Sequence, residues 1–226
     1  SPRVLSLVLD ETSGRIINRQ LMANKIKLMT GHSAKEVLSD SSGEVCGIVL
    51  GDNRKLDCGI LIVAKGVRPN IELTRDTPIA TARGIIVDRH MQTSAENVYA
   101  AGDVAEAWDL LNRKNTVIAI APLAYEQGRI AGYNMAGGQR LYAGGIGMNS
   151  IEAAGLPVMA MGISNRVSEG MEVESYCRGK LYRKLVFNEG RLAGAILVGD
   201  VRYGGVLTHL IRSQSDIGHI KKKLVD

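Results

Sequence analysis

Aromatic side chains are scarce here: Phe, Trp and Tyr make up 4% of the 226 residues, with one Trp and one Phe. Small and β-branched residues must therefore fill the core, as is common in α/β proteins. Cysteine is sparse too. Cys46, Cys58 and Cys177 form no C-x-x-C and no metal-ligand spacing, and so odd and sparse a set fits a reducing, cytoplasmic setting. Cys46 and Cys58 sit in strand-like runs and are expected to be inert core residues. Cys177 beside Arg178 is weak grounds for an activated thiol. No run is long and apolar enough to span a bilayer as a helix, so no membrane is expected. No basic run is interleaved with stacking aromatics, so the net charge of +5 does not indicate nucleic acid. His32, His90, His209 and His219 are scattered, without a ligand partner at i+3 or i+4. With no Ser/His/Asp set, metal cluster or P-loop, hydrolase and kinase chemistries fall away, and the sequence singles out neither a metal nor a catalytic residue. Also missing is a G-x-G-x-x-G turn. Residues 143–148 (AGGIGM) come nearest in look, but no strand precedes them and no long helix follows.

What is present has the ordinary composition of a globular protein, with 45% hydrophobic residues and 26 Gly. The length suggests one or two domains. The basic excess is local to residues 178–226, where Lys221-Lys222-Lys223 reads as a solvated tail. Apolar spacing predicts a helix over 10–24 with Asp10 and Glu11 near its start, then a strand over 25–29. Strands over 34–39 and 44–50 flank a turn at Ser41-Ser42-Gly43, and Gly51-Asp52-Asn53 makes the next turn. A strand over 55–63 should end in a buried apolar run. Residues 84–87 and 98–101 read as strands, and 105–116 as a polar loop or short helix. A helix over 122–135 starts with Pro122 in its first turn and stops at Gly137-Gly138. Glu126 on it is expected to face solvent. Beyond 139 the chain reads as a small α+β domain. Its strands lie over 158–162, 181–187 and 192–198, a hairpin turn at Asn188-Glu189-Gly190 joins the last two, and a terminal helix covers 203–213.

The most informative stretch is 93–103, TSAENVYAAGD. A short buried strand over 98–101 leads to Gly102, which lets another group approach the backbone. Asp103 then presents a carboxylate beyond the strand's end, where ligands of open α/β sheets bind and sugar hydroxyls can donate to it. The competing reading of Asp103 is a turn or cap residue. The helix that follows should offer unpaired N–H groups at Leu123 and Ala124 as a positive end.

With its Thr, hydrophobic strand and Ala-Gly-Asp, this stretch resembles the second FAD-contact motif of the pyridine nucleotide-disulfide oxidoreductase family. Residues 64–70, AKGVRPN, resemble the exit of that family's nicotinamide domain, with Lys65 where Thr is usual, Gly66 at the expected close approach and Pro69 at the crossing. Residues 182–200, YRKLVFNEGRLAGAILVGD, resemble the C-terminal interface domain of its NADH-dependent rubredoxin and nitrite reductases. The resemblance implies an α/β fold. Partial nicotinamide-binding (1–66) and FAD-binding (67–139) Rossmann-like domains would precede an α+β interface domain (140–226). It implies FAD and NAD(P)H as cofactors, with Ala101, Gly102, Asp103, Leu123 and Ala124 as FAD contacts. Hydride would pass from nicotinamide to flavin, then to an acceptor such as a small redox protein, a disulfide or dioxygen. A homodimer is expected. Because both Gly-rich turns are missing, the chain reads as the C-terminal portion of a longer flavoenzyme, inactive by itself. A non-catalytic dimerisation or interaction module is the alternative.

Overall fold

The computed structural model describes residues 1–165, 167–221 and 224. Helix α1 (Glu11–Ala23) opens the fold. Asp10 caps it, its Oδ1 accepting from the Ser13 N–H at 3.0 Å, and the Asn24 N–H closes the last turn. The expected strand over 25–29 does not form. Lys25 takes a left-handed φ of 62°, and Ile26 lies exposed, with no described strand beside it. Strands β1 (Ala34–Ser39), β2 (Val45–Leu50) and β3 (Lys55–Asp57) make an antiparallel meander. Its first turn is held by Asp40, whose carboxylate accepts from the Ser42 hydroxyl and the Ser42 and Glu44 N–H groups. Those bonds keep its pKa below the usual carboxylate value.

Strand β3 stops at Asp57, and the apolar run that was expected to be buried is exposed: Ile60 is 80% and Ile62 82% accessible. A continuous apolar strand needs neighbours on both sides and cover on both faces. Among the described residues it has neither. Gly66 does have a positive φ of 82°, yet nothing lies within 4 Å of where a Cβ would stand. Its role here is conformational freedom rather than close approach.

Strand β4 (Ile85–Ile86) pairs in parallel with β5 (Ala105–Asp109), and β5 pairs antiparallel with β6 (Lys114–Thr116). The stretch read as loop or short helix is thus a hairpin. Ala105, Ala107 and Asp109 point inward at period two, an alternation hidden by residue types that favour helices and turns. Helix α2 (Ala121–Met135) follows. It ends where Gly137 takes a φ of 87° and donates to the Asn134 carbonyl.

Strands β7 (Met148–Ala153), β8 (Leu156–Gly162), β9 (Glu172–Arg178), β10 (Leu181–Asn188) and β11 (Arg191–Val198) build an antiparallel sheet in the order β7-β8-β11-β10-β9. Central β11 is covered on both faces. Ala195 and Leu197 join Leu207 and Ile211 of α3 (Gly204–Ser213) on one side. Ile196 and Val198 join Ile16 and Ile17 of α1 on the other. This explains its unbroken apolar sequence. A third cluster gathers Val87, Met91, Ala107, Ala131 and Tyr142 around α2 and β5. The fold is therefore mixed α/β with a C-terminal α+β sheet, as expected. The outer strands β7 and β9 were not foreseen, because most of their residues face solvent and carry no apolar alternation.

Of the basic tail, Lys222 and Lys223 lie outside the described residues. Lys221 is not a solvated side chain: its Nζ donates to Glu172 at 2.7 Å and lies 5.3 Å from the centre of the Phe187 ring. Cys46 is exposed and Cys58 half-buried, so neither is a core residue. No helix among the described residues is long and apolar enough to cross a membrane.

Candidate functional site

Residues 98–101 do not form the expected strand. They are extended, but the ladder contact they make is a single antiparallel bridge from Tyr99 to Gln92. Thr93 closes this loop: its N–H donates to the Val98 carbonyl at 2.8 Å, and its hydroxyl accepts from the Ala95 N–H. A parallel strand needs a partner strand alongside, and none of the described strands lies along 98–101.

The chain then turns at Gly102, whose φ of 81° suits glycine. The turn is seated on the first turns of α2. A Cβ at Gly102 would meet the Ala124 Cβ at 3.4 Å, and the Gly102 N–H donates to Gln127 Oε1 at 2.8 Å. Gln127 is buried, and its Nε2 donates to the Tyr142 hydroxyl at 3.3 Å. Burial pushes the Tyr142 pKa up, so that hydroxyl stays protonated. The buried stripe of α2 is Leu123, Gln127, Ala131 and Asn134. Sequence reasoning missed Gln127, although its position four residues after Leu123 and four before Ala131 puts it on the inward face.

Of the predicted site residues, Ala101, Gly102, Asp103 and Ala124 are thus brought together. Asp103 follows the turn in a short 3-10 segment (Gly102–Val104), exposed, and no described residue donates to its carboxylate. Leu123 is buried and directs its side chain toward Gly145. The expectation of free amides at Leu123 and Ala124 is corrected: both donate to the Ile120 carbonyl at 3.1 Å. In the first turn Pro122 has no N–H, which leaves the exposed Ala121 N–H as the donor without an acceptor among the described residues. Glu126 does not simply face solvent. It holds Arg212 of α3 at 2.9 Å. The glycine-rich stretch 143–148 is a tight connection and not a phosphate-type turn: a Cβ at Gly144 would clash with Trp108, and one at Gly145 with Leu123.

The arrangement is an exposed carboxylate and an exposed helix-start amide on two elements locked together through Gly102. It can accept hydrogen bonds from hydroxyls at one point and offer a positive helix end at another. A separate cleft of about 320 Å³, lined by Leu7, Asn112, Asn149 and Asn165 among others, does not include Asp103.

Residues 1–128 match the family model described as "Pyridine nucleotide-disulphide oxidoreductase", and residues 148–215 match "Rubredoxin NAD+ reductase C-terminal domain". The chain is 28% identical over 224 residues to "Nitrite reductase [NAD(P)H]" of Bacillus subtilis (strain 168), covering 98% of this chain and 27% of that protein. It is 32% identical over 230 residues to "NADH-dependent phenylglyoxylate dehydrogenase subunit epsilon" of Aromatoleum evansii, covering 100% of this chain and 54% of that protein. Among solved structures it resembles the NADH:rubredoxin oxidoreductase of Clostridium acetobutylicum, with a TM-score of 0.69 and 29% identity over 97% of this chain and 52% of that one. The chain thus spans only 27% to 54% of the two curated relatives.

Proposed function

Because the chain belongs to the pyridine nucleotide-disulphide oxidoreductase family, we propose that it forms part of an FAD-dependent NAD(P)H oxidoreductase. Residues 1–66 would belong to its nicotinamide-binding domain, 67–139 to its FAD-binding domain and 140–226 to an interface domain. One observation carries the reading. The Gly102 turn is seated on α2, its N–H donating to Gln127 at 2.8 Å and leaving only 3.4 Å between an added Cβ and the Ala124 Cβ, and the next residue, Asp103, offers a carboxylate that no described residue uses.

That donor set suits a dinucleotide with a polyhydroxylated chain. Asp103 would accept from ribityl hydroxyls, while Ala101 and Gly102 let the cofactor approach the backbone. Ala124 supports the turn, and Leu123 anchors the helix start through its buried side chain. The Ala121 N–H and the positive end of α2 would stabilise negative charge on a reduced isoalloxazine. When bound, FAD supplies the hydride and electron chemistry, and the protein orients it.

The acceptor we propose is a small redox protein. The names of relatives that act on rubredoxin and the basic balance of residues 178–226 support this choice. A cytoplasmic homodimer fits the sparse free cysteines and the outer strand β9, where Val173 and Tyr176 are exposed. The test uses protein made from the complete open reading frame, with Asp103 intact or as Asp103→Ala. Visible flavin absorbance and NADH oxidation in the parent, with FAD bound about tenfold or more weakly by the variant, are expected. A variant that binds FAD as tightly as the parent overturns the assignment of Asp103, and a parent that never binds flavin favours the non-catalytic interaction module.

A further inference from the structure

We infer that Cys46 and Cys58 are a reversible cross-strand disulfide site, oxidised by low-molecular-weight disulfides. Strands β2 and β3 pair with Gly47 opposite Asp57 and Ile48 opposite Leu56. One step further, the same register sets Cys46 opposite Cys58, and the Cys58 N–H donates to the Cys46 carbonyl at 3.2 Å. Residues directly opposite in an antiparallel pair share a face. That face is open to reagents, since Cys46 is exposed and Cys58 half-buried.

The spacing fits a bridge. A hydrogen-bonded antiparallel pair holds its Cα atoms about 5.5 Å apart, within the range that disulfides span. Its Cβ atoms stand slightly farther apart than a relaxed disulfide prefers, at roughly 4.5 to 5.5 Å against a mean near 3.8 Å. Closing that gap takes a small backbone adjustment, and two local features bear on it. The backbone of β3 already crowds β2 beside the pair, for a Cβ on Gly47 would meet the Leu56 carbonyl oxygen at 2.8 Å. The β1–β2 register also shifts between Leu38 and Ser39, which pair with Gly47 and Val45, so Cys46 falls at the irregularity and is not fixed by β1. The residual strain makes the bridge easily reduced, which marks it as a reversible device rather than a staple.

The exchange balances. The Cys58 thiolate attacks one sulfur of the small disulfide, a mixed disulfide forms and one small thiolate leaves. The Cys46 thiolate then attacks the Cys58 sulfur and displaces the second. The protein gives up two electrons and two protons, and one small disulfide becomes two thiols. The bridge would pin the end of β3, and with it the start of the exposed run at Ile60, to the central strand of the meander.

The test uses the chain with Cys177→Ser, which leaves these two thiols. After native incubation with oxidised glutathione and an acid quench, free thiols should fall from two per chain to none. The mass should drop by two hydrogens, and a peptide map should link Cys46 to Cys58. Excess reduced glutathione should restore both thiols. Adding Cys46→Ser should leave one stable glutathione adduct on Cys58. Two adducts per chain, cross-linked dimers, unreacted thiols or a bridge that resists excess reduced glutathione would each overturn the inference.

Discussion

At the scale of single residues, the aspartates separate into two kinds. Asp10, Asp40, Asp88 and Asp109 each accept hydrogen bonds from neighbouring backbone N–H groups and so serve turns or caps. Asp103, like Asp57 and Asp76, accepts none from the described residues, and its place just after the Gly102 turn seated on α2 makes it the ligand-facing candidate. Asp103→Ala is expected to weaken FAD binding in the complete protein by about tenfold or more, the loss of a hydrogen bond to a charged group. Its melting temperature should barely move, because exposed substitutions of this kind cost within about 0.5 kcal/mol. Asp10 is the opposite case. Burial alone would raise its pKa, but bonds from Ser13 and Tyr182 and the Lys184 charge at 3.4 Å hold it below the usual 3.8. A depressed carboxyl stabilises the fold above its ordinary pKa and stops doing so as pH falls through the lower folded value. Asp10→Ala should therefore destabilise by about 3 kcal/mol at neutral pH by leaving the buried Lys184 unpaired. Urea midpoints of parent and variant should converge as pH falls below 3.8, the ordinary value for this carboxyl.

At the scale of elements, α2 carries the site through a side chain with no role in ligand contact. Gln127 joins the Gly102 turn to Tyr142. Gln127→Leu keeps the volume but leaves a Gly102 N–H and a Tyr142 hydroxyl without partners. A loss of about 2 kcal/mol in a denaturant titration is expected, the penalty for unpaired buried groups. Weaker flavin retention should accompany it, since the turn that aims Asp103 loses its tether. Elements with strong local signals were legible in the sequence. Asp10 marked the start of α1, Pro122 and Gly137 bracketed α2, and Asn188-Glu189-Gly190 made the β10–β11 turn. Elements defined by pairing alone were not. Residues 105–109 became a strand because β4 and β6 flank them, and residues 98–101 failed to become one because none of the described strands lies along them.

At the scale of the whole molecule, the unusual feature is apolar surface. Ile60, Ile62, Val63 and Val67 are all more than 70% accessible along one irregular stretch. Contiguous apolar exposure of this kind binds partners or drives association. The double substitution Ile60→Lys, Ile62→Lys is expected to lower binding of an apolar dye and slow aggregation of the chain by several-fold, with an unchanged melting temperature. Light scattering and dye fluorescence would check it, and a variant that melts earlier would show that the run packs in solution. By contrast, the central strand β11 of the C-terminal sheet is covered, with α1 on one face and α3 on the other. The Glu126–Arg212 pair ties α2 to α3.

Local chemistry alone determined the helix caps, the hairpin turns, the apolar strands of the C-terminal sheet and the motif ending in Asp103, because each depends on residues close in the chain. Tertiary structure decided what depends on distant neighbours. It drew Glu126 to Arg212, left Ile60, Ile62 and Val63 in solvent and set Cys46 across from Cys58. A backbone torsion or a cap is written within a few residues, whereas burial and strand partnership are properties of whatever the rest of the fold brings alongside.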